Sequence, residues 1–116
     1  MSGAIHRAED GRCVVPNALR TETMLERIRG LLGRPALQPG QCLLIEPCSA
    51  VHAIGMTYPL DLVFLNSAGR IMKLVHRLRP WRMAVCAGAR MVLELPAGSI
   101  VTLEMTAGQT LNWARN

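Results

Sequence analysis

Residues 60–78 read Leu60-Asp61-Leu62-Val63-Phe64-Leu65-Asn66-Ser67-Ala68-Gly69-Arg70-Ile71-Met72-Lys73-Leu74-Val75-His76-Arg77-Leu78, and this stretch decides the fold class. Leu60 to Leu65 is apolar at nearly every position, which predicts a strand covered on both faces. Asn66-Ser67-Ala68-Gly69 supplies a turn and Ile71 to Leu78 a second strand, giving a β-hairpin with a four- or five-residue loop. In that second strand Ile71, Lys73, Val75 and Arg77 alternate with Met72, Leu74, His76 and Leu78. The latter set is assigned to the core, which brings His76 close to it.

Working outward, Gln41 to Glu46 forms a strand bounded by Pro39-Gly40 and Pro47. Met91 to Leu95 forms another, closed by Pro96-Ala97-Gly98, with Glu94 facing away from Met91, Leu93 and Leu95. Arg12 to Val15 gives a short strand ended by Pro16-Asn17, and Thr110 to Trp113 a last one. Ser99 to Met105 stays open between a helical turn and a strand, because Ser99 favours a cap and Ile100-Val101-Thr102 a strand. The clearest helix spans residues 21–33. Thr23-Met24-Leu25-Glu26 is a capping box, Met24, Leu25, Ile28, Leu31 and Leu32 make one apolar face, and Gly33 followed by Pro35 is the stop. The expected fold is α+β and mainly antiparallel, a small barrel or half-barrel with this one main helix covering an open end or face. Residues 1–10 and 114–116 are expected to be flexible.

A length of 116 residues fits a single domain. Half of the residues are hydrophobic but only 3% are aromatic, so aliphatic side chains must build the core. Thirteen basic against eight acidic side chains give a formal charge of +5. Twelve of the thirteen are arginine, scattered rather than striped, which argues against a nucleic-acid partner. Arg77, Arg79, Trp81 and Arg82 are the local exception. Cys13, Cys42, Cys48 and Cys86 include no C-x-x-C spacing, so unpaired thiols and no metal are expected. No apolar run is long enough to span a bilayer and no signal-peptide region is visible. The expectation is a soluble cytoplasmic protein with no membrane span. Phosphate-binding and dinucleotide glycine loops, nucleophile elbows and paired-histidine metal motifs are absent, so no cofactor is expected.

Three segments together resemble a family of small bacterial and archaeal proteins, the domain-of-unknown-function family 192. They are Arg27-Ile28-Arg29-Gly30-Leu31-Leu32-Gly33-Arg34, Val51-His52-Ala53-Ile54-Gly55-Met56-Thr57-Tyr58-Pro59-Leu60-Asp61, and Val92-Leu93-Glu94-Leu95-Pro96-Ala97-Gly98. The resemblance implies a compact β-rich domain with one main helix and a helical turn after Gly98. It supplies no reaction. The chain departs from the family pattern at Glu104, where glycine is usual, and at Gln109, where aspartate is usual after Gly108, so a rearranged tail is expected. Many relatives carry a tryptophan two positions further into the central block, often with an export signal or lipid anchor. This chain has His52 and no export signal.

Arg29, Arg34, His52, Asp61 and Glu94 are the polar candidates in these segments. Converging on one polar cleft, they would bind a small anionic or polar ligand, with Arg34 attracting negative charge and Asp61 orienting His52 or an arginine. The expected function is therefore a small-ligand or protein-partner binding module. The alternative is a small enzyme of hydrolase or transferase type using a His52/Asp61 acid-base pair with an arginine anion clamp. Each residue also has an architectural role open to it. Asp61 at a strand start can accept backbone N–H bonds, Arg29 and Arg34 can bond the free carbonyls of a helix end, and Glu94 can face solvent.

Overall fold

A computed structural model describes residues 1–22, 36–53 and 56–116. Among the described residues the order is β1 (Ser2–Arg7), β2 (Cys13–Arg20), β3 (Gln41–Ile45), β4 (Ala50–His52), β5 (Leu60–Leu65), β6 (Ile71–Leu78), β7 (Met83–Val85), β8 (Met91–Pro96), α1 (Ser99–Thr102) and β9 (Leu111–Arg115). Seven strands form one sheet in the order β6-β5-β8-β3-β2-β1-β9, and β4 and β7 form a separate two-stranded ribbon.

All six residues of β5 are buried, as its unbroken apolar run requires of a strand lying between β6 and β8. Leu60, Leu62 and Phe64 pack with Leu43, Ile45 and Val92 on one face, while Val63 and Leu65 pack on the other. Burial of a side chain as large as Phe64 stabilises the fold by about 3 kcal/mol. The second cluster collects Ile5 of β1, Val15 of β2, Leu44 of β3, Leu95 of β8, Ile71 of β6 and Leu111 of β9. Strands from both ends of the order share this core, so the sheet curls around it. Where the ends approach, the Leu111 N–H donates to the Gly69 carbonyl at 2.8 Å and the Ile71 N–H to the Gln109 carbonyl at 2.8 Å. A side chain at position 69 would collide with the Leu111 carbonyl, and the φ of 83° there also favours glycine. β6 and β9 remain edges, so the sheet is not closed into a barrel. The opposite face is roofed by the ribbon, which contributes buried Val51 and half-buried Ala84, and by Ala53 and Met56 after β4.

The pairings are antiparallel except β2 with β3. A parallel neighbour needs a connection of a dozen or more residues, and twenty residues, 21–40, separate β2 from β3 in the sequence. The expected helix of residues 21–33 lies outside the described residues beyond position 22. The described helix is instead the four-residue α1, the helical turn implied after Gly98.

Several local expectations are corrected. Ser2–Arg7, expected to be flexible, is a strand between β2 and β9. Its inward residues are Gly3, Ile5 and Arg7, a pattern that hides its periodicity. Pro16-Asn17 does not end β2, because a register shift against β1 falls between Val15 and Ala18 and absorbs the missing donor. β9 runs on to Arg115, and the Asn116 N–H donates to the Ser2 carbonyl at 3.1 Å. In β6, register shifts against β5 at both ends break the two-residue alternation. Ile71 and Leu78 are buried while His76 is exposed, and Arg77 adopts φ 52°.

Candidate functional site

Asp61 is fully buried at the start of β5. Its Oδ1 accepts the Arg77 N–H at 2.9 Å and its Oδ2 accepts the Ile100 N–H at 2.9 Å. The first bond holds the β6 bulge. The second caps α1, whose own N-cap, Gly98, has no side chain to offer. Each oxygen of Asp61 thus accepts a backbone amide, the architectural role open to it from the sequence.

Glu94 sits in β8 with Leu43 of β3 on one side and Leu62 of β5 on the other. It is 4% exposed, not on a solvent face. Burial between apolar neighbours pushes its carboxyl from 4.5 up to about 7, and its Oε1 has no hydrogen-bond partner. Tyr58, in the loop before β5, packs against the same cluster with its hydroxyl also buried and unpartnered. Burial and then the charge of Glu94 raise the Tyr58 hydroxyl above its usual range. Glu94 and Tyr58 thus bring two unpartnered polar groups to one face of the sheet, with the Thr21 hydroxyl a third buried group without a partner, a condition native proteins rarely tolerate. A hollow of about 410 Å³ is lined in part by Leu19, Leu37, Gln41 and Leu43; Leu43 is the cross-strand neighbour of Glu94, while Glu94 and Tyr58 themselves do not line it.

His52 lies in β4, exposed and paired in register with Met83. It is on the ribbon that roofs the Glu94 face. Asp61 pairs in register with Leu95, whose side chain belongs to the opposite core. The fold therefore separates Asp61 from Glu94 and from His52 instead of bringing the three into one cleft. Arg29 and Arg34 lie outside the described residues. A second cleft, of about 530 Å³, runs beside α1 and is bordered by Asp61, His76, Arg77 and Ser99, with the Asp61 side chain buried beneath it and already accepting two backbone N–H bonds.

Tyr58 was not singled out from the sequence. The signal was present, since it is the only tyrosine and stands in the central resembling segment, but a neutral phenol carries no charge to mark it as a candidate. Among the described residues no group of three or more His, Cys, Asp or Glu side chains could hold a metal ion. Cys13 is an exposed free thiol and Cys42 a buried one, and the Cys48 Sγ contacts the Ala50 carbonyl at 3.1 Å. No helix among the described residues is long and apolar enough to cross a membrane.

Comparison with known proteins agrees with this fold. The structure is similar to that of a candidate transcription regulator from Sinorhizobium meliloti (TM-score 0.84, 20% identity, 97% of this chain and 94% of that one). It is also similar to a protein of unknown function from Novosphingobium aromaticivorans (TM-score 0.78, 20% identity, 97% and 84%). In sequence the chain is similar to a UPF0127 protein of Thermococcus sibiricus, 29% identical over 97 residues, covering 79% of this chain and 62% of that one. A UPF0127 protein of Pyrococcus furiosus is 35% identical over 68 residues, 58% of each chain. The chain thus spans about six-tenths of the length of these two relatives. The family profile described as uncharacterized ACR, DUF192, matches residues 6–113, and with that coverage the chain belongs to the DUF192 family.

Proposed function

We propose that this protein is a small-ligand-binding module whose site is centred on Glu94 and Tyr58. The observation that carries this reading is the pair of buried, unpartnered polar groups on one face of the sheet. Leaving such groups unsatisfied costs about 1–3 kcal/mol each, and a ligand offering a hydroxyl, amide or amine would recover that cost. The hollow beyond Leu43, walled by Leu19 and Leu37 together with polar Asn17, Gln41 and Asn116, would take the rest of a ligand that extends past Leu43 from Glu94. Arg29 and Arg34 enter the proposal as the source of attraction for an anionic group. The same reading takes the chain as one domain, a half-barrel working in the cytoplasm, where the exposed thiol of Cys13 is compatible with a reducing environment.

A small hydrolase or transferase is the second reading, favoured by one observation. Glu94 is a carboxyl buried between apolar neighbours, which pushes it up to about 7, a value matched to proton transfer at neutral pH. In that case Glu94, not the His52/Asp61 pair, moves the proton.

A thermal-shift screen of small polar compounds on the parent, Glu94→Gln, Tyr58→Phe and Asp61→Asn tests the proposal. Hits should lose their shift in the first two variants and keep it in Asp61→Asn, whose melting point alone is lowered. Hits that bind Glu94→Gln and Tyr58→Phe like the parent overturn it.

A further inference from the structure

Charge is distributed very unevenly along the chain. Residues 62–93 carry six basic side chains and no acidic one, whereas the remainder carries seven basic and eight acidic. The whole positive excess therefore lies in β6, β7 and the loops around them. None of the ion pairs among the described residues uses these six groups. A field of this kind attracts acidic partners.

Among the described residues, four of the five exposed large apolar side chains, Met72, Trp81, Met83 and Val85, lie in the same region, with Val101 on α1 the fifth. Trp81 is 68% exposed, Met83 65% and Val85 54%. Met83 and Val85 alternate with half-buried Ala84 in β7, so both point away from the core, and Trp81 stands in the turn that leads into the strand, at φ 68°. His52 and Ala50, the register partners of Met83 and Val85, are exposed on the same outer face. Arg79 and Arg82 bracket Trp81 in a tight turn closed by the Arg82 N–H on the Arg79 carbonyl at 3.2 Å. On the far side, the Lys73 ammonium reaches the Val85 carbonyl at 2.8 Å. The result is an apolar row flanked by three cations.

We propose that the outer face of the β4–β7 ribbon docks an acidic protein segment carrying at least one large apolar side chain. Charge complementarity selects the acidic partner, and the row of Trp81, Met83 and Val85 selects the apolar one. A nucleic acid would use Trp81 as a stacking surface but leave aliphatic Met83 and Val85 without a role. A tryptophan flanked by arginines is the composition most often found where interface energy concentrates. This surface is independent of the Glu94 site, so either proposal can fail without the other.

The test uses fluorescence anisotropy at low salt. The probe is a fluorescein-labelled twelve-residue peptide alternating glutamate with leucine and phenylalanine. Controls are the same peptide with lysine in place of glutamate, a twelve-residue oligo-dT, and vesicles containing phosphatidylserine. The acidic peptide should bind and the lysine peptide should not. Trp81→Ala and the double variant Arg79→Glu/Arg82→Glu should each weaken binding about thirty-fold, as expected for an interface hot spot, with melting temperatures unchanged because these side chains are exposed. Absence of peptide binding, equal binding by the variants, or tighter Trp81-dependent binding of oligo-dT or vesicles overturns the proposal.

Discussion

Asp61 and Glu94 stand one register step apart on adjacent strands and face opposite sides of the sheet. Leu95 is the partner of Asp61, and Leu62 the partner of Glu94. Asp61 has both oxygens satisfied by backbone amides, whereas the Oε1 of Glu94 has none. Two buried carboxylates, close in space, are thus expected to respond to mutation in opposite directions.

Removing the Asp61 carboxylate leaves the amides of Arg77 and Ile100 without acceptors. Asp61→Ala should lower stability by about 3–5 kcal/mol, and Asp61→Asn, which keeps one acceptor, by about 1–3 kcal/mol. Urea denaturation at pH 7 measures both. An Asp61→Ala protein as stable as the parent would mean that these bonds contribute nothing.

Glu94 should make the protein less stable as pH rises. Below the unfolded value of 4.5 the carboxyl is protonated in both states and carries no penalty. Between 4.5 and about 7 the unfolded chain gives up its proton first, so stability falls through that window and levels off above it. The full loss is about 3 kcal/mol. Stability measured from pH 4 to pH 8 should therefore show a slope in the parent that is missing in Glu94→Gln, and Glu94→Leu should exceed the parent at pH 8. Parallel pH profiles for parent and variants would contradict the raised carboxyl.

Glu104 has φ 54°, a left-handed conformation that costs a side-chain-bearing residue about 1–2 kcal/mol. Its backbone carbonyl accepts from the Gln109 amide at 3.2 Å, a bond that glycine would keep. Glu104→Gly should raise stability by about 0.5–1 kcal/mol after the added freedom of the unfolded chain is counted. Differential scanning calorimetry gives the answer, and a lowered melting point would show that the glutamate side chain holds this turn.

The thiols should divide by burial. Cys13 is exposed, whereas burial pushes the Cys42 thiol up to about 12. In the native protein at pH 8, a disulfide reagent should modify Cys13 within mixing and Cys42 only as the fold opens. Fast modification of Cys42 would show that its core opens locally.

The β5–β6 hairpin was legible because β5 is apolar throughout and Asn66 to Gly69 has turn chemistry. The bounds Leu60–Leu65 and Ile71–Leu78 fall as the sequence predicts. The orientation of His76 was not legible, since register shifts leave no mark in a one-residue alternation. β1 escaped because its inward positions include Gly3 and Arg7, and Gly3 is required where a Cβ would meet the Trp113 ring. β4 and β7 are three residues each, too short for a periodic signal. For the site, the sequence placed Asp61 beside a buried strand as an acid needing partners, and left Glu94 open between a polar cleft and a solvent face. It could not tell which of them the backbone satisfies, because that depends on the approach of α1 and the β6 bulge from elsewhere in the chain. The glycine expected at Glu104 from the family resemblance is explained by the backbone, which is left-handed there.

Carbon-13 NMR titration of the Glu94 carboxyl, with and without a compound from the thermal-shift screen, reads the ligand site at the group on which it is centred. A midpoint near 7 in the protein alone, displaced by at least about one unit when the compound binds, is the predicted result, since one unit corresponds to about 1.4 kcal/mol of direct interaction with the carboxyl. A midpoint near 4.5, or one that screened compounds leave unmoved while they stabilise the protein, contradicts a ligand site at Glu94.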